Sequence, residues 1–547
     1  MTPEPALTID PRLYARRWWT LAVLCLSLLI VFVGNSSLNV TIPTLSRVLG
    51  ASTAQLQWVI AAYSLVFAGL LFSTGAIGDR YGRKGALQFG LTLYLGACLL
   101  ASASSTMSQL IACRALMGVG AAFIMPSTLS ILVNVFPPEE RTKAIAIWAG
   151  VAGAAGAIGP VASGWLLGHF WYGSVFLVNV PILLTALVAG RFLVPRSRDP
   201  EQGRLDPIGA VLSIVGIVAL VYGLIEAPQV GWRSPATLLA FAIAAVVLAL
   251  FAFWELRVPE PMLDIRLFRN PAFSTGTGGM ILIFMSMFGV MFLITQYFQL
   301  ILGYSPISAA LRFLPLAPIM IVVAPMTPRL STRFGANRVV SVGMGGIALA
   351  MILLRGLTPH TPYWYILICF APLASGMSLA MSPMTASIMS AVPPRRAGAG
   401  SAMNDATREL GAALGIALMG SLAASRYTTS LARTTAHLPA GVAHRADTSL
   451  ADALAAATKL GGPAGRALTL AAQHAFIDGI QLAVGAGALL SAAAAIVVFR
   501  NLPREAVHST AMAGPVEAME TTAELGIGGV EPAFADNPDD LKPSPAG

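Results

Sequence analysis

Long apolar stretches separated by short polar breaks recur along the whole chain, and the charged residues fall almost entirely in the breaks. Each stretch is a continuous run of apolar residues, not the alternation of a half-buried strand or of a ten-residue barrel strand. A helix needs about 20 apolar residues to cross the hydrocarbon of a bilayer. By that measure about fourteen spans are predicted, near 18–43, 54–76, 86–105, 108–132, 144–168, 174–195, 208–226, 236–255, 274–302, 306–327, 339–356, 363–391, 398–424 and 477–499. Backbone groups in lipid must be satisfied within their own segment, which leaves helices. The expected fold is an all-α membrane protein with a lipid bilayer as its surroundings.

Composition sharpens the picture. Hydrophobic residues make up 56% of the chain and charged residues 11%, with mean hydropathy +0.74. So few polar side chains cannot cover a soluble protein of 547 residues. The basic residues gather in alternate breaks, among them Arg12, Arg16 and Arg17, then Arg80, Arg83 and Lys84, then Arg141 and Lys143, and later Arg329, Arg333, Arg338, Arg395 and Arg396. Positive residues favour cytoplasmic loops, so an even helix count with both termini cytoplasmic is predicted. The net charge of +9 is then a topology signal. No soluble face collects it as a nucleic-acid footprint would.

Other chemistry is sparse. Cys25, Cys98, Cys113 and Cys369 all fall inside predicted spans and read as small apolar residues without disulfide or metal spacing. No His is metal-spaced within a span, no loop reaches domain size, and no phosphate-binding P-loop occurs. An enzyme, a cofactor, a bound metal and an ATP-driven pump are therefore not expected. The first apolar stretch is too long for a cleaved leader and ends in Asn39–Pro43. Scarce lysine and abundant alanine suit a high-GC bacterial source, which points to the cytoplasmic membrane.

A short sequence occurs twice. Gly75-Ala-Ile-Gly-Asp79-Arg80-Tyr81-Gly82-Arg83-Lys84 is followed far downstream by Pro328-Arg-Leu-Ser-Thr332-Arg333-Phe334-Gly335-Ala-Asn-Arg338, aligning Arg80, Tyr81 and Gly82 with Arg333, Phe334 and Gly335. Both copies fall in loops of like position. The repeat divides the chain into a cytoplasmic N-terminus (1–17), a six-helix bundle (18–195), a two-helix insertion with its flanking loops (196–273), a second six-helix bundle (274–499) and a tail (500–547). Parallel six-helix repeats around a central site are a transporter plan. The outer loop 425–476, rich in Ala, Arg and His, has room for short helices. The acidic, Pro- and Gly-bearing tail is predicted to be disordered.

Several ordered motifs carry a resemblance. They are the turn Gly75 to Lys84; Leu110-Ile-Ala-Cys-Arg114-Ala-Leu-Met-Gly118-Val-Gly120; Gly150 through Gly159-Pro160-Val-Ala-Ser-Gly164; Leu56-Gln-Trp58 with Tyr63; and Tyr297-Phe-Gln299 with Gly303-Tyr-Ser-Pro306. Together they resemble the major facilitator superfamily, specifically its fourteen-helix drug:proton antiporter branch, over roughly residues 18–499. The resemblance implies the superfamily fold with 6+2+6 helices. It also implies a secondary transporter that exports amphipathic small molecules, drugs or antibiotics among them, by alternating access in exchange for protons. A monomer is the expected unit. Two positions depart from the pattern: Met117 stands where the family usually has Gln, and Gly34 stands where helix one usually carries an Asp. Helices one to six then hold no carboxylate, because Asp79, Glu139 and Glu140 all lie in loops.

Asp79, Arg80, Gly82, Arg83 and Lys84 either fix orientation as a positive loop or, as the resemblance implies, form a conformational latch in which Asp79 meets the positive N-terminal end of helix thirteen near 398–401. Gly156, Gly159, Pro160 and Gly164 give close helix packing and a bend, which the resemblance reads as an antiporter hinge. Arg114 at membrane depth is expected to face the bundle interior or to snorkel outward. Asn35, Asn39, Trp58, Tyr63 and Arg114 can line one wall of a substrate cavity, with Gln296, Tyr297 and Gln299 opposite; Trp58 and Tyr297 can instead be interfacial belt residues. Asp405, Arg408 and Glu409 sit close together on helix thirteen. They either seal an inner end as ion pairs or carry the coupling proton. A narrow-specificity metabolite exporter and a proton-independent facilitator are the competing readings.

Overall fold

The computed structural model describes residues 11–198, 206–259, 261–392 and 397–504. Arg204, Arg395, Arg396 and the predicted disordered tail beyond residue 504 lie outside the described residues. In chain order the helices are α1 (Pro11–Leu49), α2 (Thr53–Tyr81), α3 (Arg83–Ser102), α4 (Met107–Val135), α5 (Pro138–His169), α6 (Ser174–Leu177), α7 (Asn179–Leu193), α8 (Pro207–Val230) and α9 (Pro235–Glu255). They continue as α10 (Pro271–Gln296), α11 (Pro306–Leu311), α12 (Leu316–Val323), α13 (Met326–Phe334), α14 (Ala336–Leu354), α15 (Tyr363–Ser390), α16 (Ala397–Thr435), α17 (Ala440–Thr448), α18 (Leu450–Leu460) and α19 (Gly462–Asn501). Thirteen helical segments among the described residues are long and apolar enough to cross a membrane. The remaining expected span, 144–168, lies within α5.

Local chemistry sets the helix ends. Ser52 and Gln55 form a capping box at the start of α2, and Thr106 and Gln109 form one at the start of α4. Each satisfies amides that a helix N-terminus leaves open. Both boxes lie at the arginine-poor end of the bundle, where a few residues reverse the chain.

At the arginine-rich end the repeated turn is shorter than the sequence suggests. α2 runs to Tyr81 and α3 starts at Arg83; α13 runs to Phe334 and α14 starts at Ala336. One glycine makes each reversal, Gly82 at φ 125° and Gly335 at φ 90°, values that favour a residue without Cβ. The residue after each glycine is tied in the same way. Arg83 N donates to Ser197 O at 3.0 Å, and Ala336 N donates to Arg504 O at 3.1 Å. In both copies the acceptor lies just past the end of a later helix, α7 or α19, so each turn is closed by the segment that leaves its own group of helices.

Two groups of helices form around these closures. In the first, α1 packs on α4, α5 and α7, while α4 also packs on α2 and α3. In the second, α10 packs on α15, α16 and α19, and α14 on α15 and α19. The groups meet where α2 lies along α16, α5 along α11, and α1 against α10. α8 and α9 pack on each other, and α8 fills the groove between α2 and α16.

Two expected elements differ in extent. The single span expected over 306–327 is broken into α11 and α12 by the turn at 312–315, where Pro315 cannot continue an interior helix. The expected outer loop 425–476 shrinks, because α16 continues to Thr435 and α19 begins at Gly462. The segment between them holds the short helices α17 and α18, pinned by Tyr427 Oη donating to Ala446 O at 2.9 Å.

Candidate functional site

Arg114 organises the polar interior of the first group. It sits on α4 with no solvent exposure at all. Nε donates to Val59 O at 3.1 Å, and the guanidinium lies 4.3 Å from the ring centroid of Tyr63. Nη2 is buried and makes no hydrogen bond. A planar, delocalised cation stacks on an aromatic face more readily than an ammonium does. Of the two positions open to it from sequence, Arg114 occupies the interior.

Tyr63 is followed by Ser64, and the pair links two groups of helices. The hydroxyl of Ser64 donates to Glu409 Oε2 at 2.6 Å, the length of a charge-assisted bond. Two turns along, Gln57 Nε2 donates to Ile416 O at 3.0 Å and Ala417 O at 3.3 Å. The spacing of seven is shared by both helices, as antiparallel neighbours require. Ser64 and Gln57 therefore lie on the face of α2 that meets α16. Sequence reading noted Gln57 only within the Leu56-Gln-Trp58 motif and did not single out Ser64. The signal was present, since two polar residues seven apart in an apolar helix share a face.

The other candidates on α16 separate. Arg408 Nη1 stands 3.9 Å from Asp405 Oδ1, and its guanidinium lies 5.5 Å from the ring of Phe284 on α10. Glu409 turns instead to Ser64.

Asn35 and Asn39 sit on α1, half-buried and buried respectively, each with a buried Oδ1 that makes no hydrogen bond. The hydroxyls of Tyr63 and Tyr94 are likewise buried and unpaired. Buried polar atoms are rarely left so; of these, Tyr63 lies directly against Arg114, whose Nη2 is unpaired as well. Tyr94, on α3, was missed in the sequence. Its hydroxyl lies against Gly34, the position at which the family acid is absent, and a Cβ added there would overlap it.

Trp58 points away from this cluster. Its indole donates to Glu226 Oε1 on α8 at 3.3 Å and lies 6.2 Å from the ring of Tyr222. Gln296, Tyr297 and Gln299 lie where α10 ends in a π-turn over Tyr297–Ile301. Gln296 Nε2 donates to Phe292 O at 3.1 Å, Tyr297 Oη to Thr358 O at 2.6 Å, and Gln299 Nε2 crosses to Val40 O on α1 at 2.9 Å. Gln299 thus ties the two groups together at the arginine-poor end. Ser46 and Ser449, 3.5 Å apart, do the same.

On α5, Gly159 and Gly164 face different partners. Ser37 Oγ of α1 donates to Gly159 O at 3.1 Å, whereas Gly164 abuts the backbone of Pro306 and Ile307 on α11. Pro160 is buried within the helix and offers no N–H to the preceding turn. Gly156 meets open space. At the repeated turn, Arg83 Nε donates to Asp79 Oδ1 at 2.5 Å, and Lys84 Nζ donates to Arg191 O at 2.7 Å. Arg80 lies 5.7 Å from the ring of Tyr81. The side chains near 398–401, where the partner of Asp79 is expected, lie largely outside the described residues.

Comparison with known proteins follows the same outline. The sequence profile of the Major Facilitator Superfamily matches residues 24–416. The chain is 35% identical over 499 residues to the multidrug efflux pump LfrA of Mycolicibacterium smegmatis, covering 90% of this chain and 97% of that protein. It is 36% identical over 480 residues to the methyl viologen resistance protein SmvA of Salmonella typhimurium, covering 87% and 96%. Among solved structures, a bacterial homologue of the human lysosomal transporter Spinster, inward-facing and unoccupied, superposes with a TM-score of 0.63 at 18% identity, covering 89% of this chain and 98% of that one. That likeness concerns the fold.

Proposed function

The chain belongs to the major facilitator superfamily, and from that premise we propose that it exports amphipathic small molecules across the bacterial cytoplasmic membrane by alternating access, in exchange for protons. It is a multi-pass membrane transporter and not an enzyme. The reading as a drug exporter leans on its similarity to a multidrug efflux pump and a methyl viologen resistance protein.

One observation carries the mechanism. A buried cation on one group of helices and a carboxylate on the other are bridged by the consecutive residues Tyr63 and Ser64 of α2. Charge inside the hydrocarbon is expensive and is kept where transport needs it. In this reading Arg114, stacked on Tyr63, anchors the substrate, and Asn35 and Asn39 offer it further polar contacts from α1. Glu409 and its neighbour Asp405 exchange the proton, since the acid that α1 to α4 carry, Asp79, sits in the last turn of α2 and is paired with Arg83.

Rocking then opens the two ends in turn. The ties at the arginine-poor end, Gln299 to α1 and Ser46 to Ser449, suit the state closed to the outside. Pro160, between the α1-facing Gly159 and the α11-facing Gly164, is placed to serve as the hinge. The turn around Gly82, with Asp79 and Arg83 paired inside it, serves as the cytoplasmic latch.

The test is transport in reconstituted vesicles with and without an imposed pH step. Wild type should export an amphipathic dye faster with the step. Glu409→Gln should lose that acceleration, and Asp405→Asn should blunt it. Equal acceleration in all three would sink the proton assignment.

A further inference from the structure

We propose that Ser64 is the positioning residue that locks the empty, ionised transporter shut on its outer side and so prevents proton leak. The inference rests on the reading of Glu409 as the proton-exchanging acid. Ser64 is fully buried on α2, and its hydroxyl donates to the Glu409 carboxylate on α16 at 2.6 Å. The bond joins the two groups of helices on the same seam as Gln57 and the carbonyls of Ile416 and Ala417. Gln57 bonds backbone carbonyls, which do not titrate. Along this seam Ser64 is the side chain that senses the charge of the acid.

The logic follows from the cycle of an antiporter. Inside, the acid releases its proton and the carrier waits for substrate. If it turned outward empty, it would pick up a proton, return and release it, dissipating the gradient without export. A hydroxyl bond to an ionised carboxylate is roughly twice as strong as one between neutral partners. It therefore holds the seam hardest in the one state that must not turn. Protonation of Glu409 removes the charge assistance. Substrate acts through Arg114, whose guanidinium is stacked on Tyr63, the residue next to Ser64.

Other groups near Glu409 do not duplicate this tie. From its own helix Asp405 and Arg408 act on it, the latter paired with Asp405. From the first group Arg114 acts on it, and Tyr63 lies within the same field. α10 carries no ionisable side chain. On α8, Glu226 accepts from the indole of Trp58, whose ring lies near that of Tyr222. On α15, Tyr363, Tyr365 and Cys369 lie in the first two turns. On α19, Asp478 is taken by Ser430, while Arg466, His474 and Arg500 complete the set. His444, Arg445 and Asp447 belong to α17, beyond the far end of the seam.

The experiment uses the full chain in vesicles with trapped pyranine, an acid step outside and no substrate. Ser64→Ala should raise the substrate-free proton leak about tenfold, the value of one hydrogen bond to a charged group. Ser64→Thr, which keeps the hydroxyl, should leak as little as wild type, and Glu409→Gln should not leak. Ser64→Cys, similar in size but a weaker donor, should fall between. Unchanged leak in Ser64→Ala and Ser64→Cys, with Glu409→Gln defective in pH-driven dye export, overturns the lock and leaves the proton assignment standing. Retained pH-driven export in Glu409→Gln overturns both.

Discussion

The hydroxyl of Tyr94 on α3 lies against the bare backbone of Gly34 on α1, in the space a Cβ at residue 34 would need. A side chain at residue 34 would therefore compete with the Tyr94 hydroxyl for the same space. Gly34→Asp alone should overpack this core, where such insertions destabilise by about 1–3 kcal/mol, and should lower thermal stability in detergent. Gly34→Asp combined with Tyr94→Phe, which removes the obstructing oxygen, should recover stability. The double variant should also shift export toward the cationic member of a matched cationic and anionic dye pair. Wild type, in which the first group's Asp79 and Glu140 pair with Arg83 and Arg17 and not with Arg114, should favour the neutral or anionic dye. A strong cation preference in wild type would refute this.

Arg114 should not tolerate lysine. A lysine keeps the charge but loses both the planar stack on Tyr63 and the Nε bond to Val59 O. Dye export by Arg114→Lys should fall at least about tenfold, the equivalent of one hydrogen bond to a charged group, at protein levels close to wild type. Export at the wild-type rate would remove Arg114 from the transport path.

The two repeated glycines should differ in sensitivity. A Cβ at Gly82 meets open space, so Gly82→Ala bears only the strain of its positive φ, about 1–3 kcal/mol. At Gly335 the same Cβ also comes within 3.2 Å of Arg504 O and 3.1 Å of Asn337 Oδ1. Melting temperatures in detergent should therefore drop further for Gly335→Ala. The reverse order would contradict the geometry.

Trp58→Phe tests where that ring belongs. Because its indole bonds Glu226 on α8, the change should lower stability by about 1 kcal/mol and leave the ranking of exported dyes unaltered. An altered ranking would put Trp58 on the substrate path.

The sequence made the helices legible because their apolar runs are long and continuous, and it located the repeated turn because Arg80, Tyr81 and Gly82 match Arg333, Phe334 and Gly335 in breaks of like position. Partners were harder to read. Trp58 and Tyr63 stand five apart on α2 and so face different neighbours, one α8 and the other Arg114, which a list of polar residues on one helix does not reveal. Arg408 and Glu409 are adjacent, yet helix geometry turns them about 100° apart, so one meets Asp405 and the other Ser64. The long outer loop looked polar because its alanine-rich extension of α16 carries charge outside any span, although it continues as helix. Ser64 and Tyr94 have unremarkable residue types; only the approach of α16 and α1 gives them work.

The paired amide ties at residues 83 and 336 bear on how this architecture grew. Each bundle fastens one of its inner turns to its own exit, so neither borrows the other's chain to close that turn. A hairpin such as α8–α9 can therefore be spliced between the two without unpicking either, and it settles in the groove they leave outside.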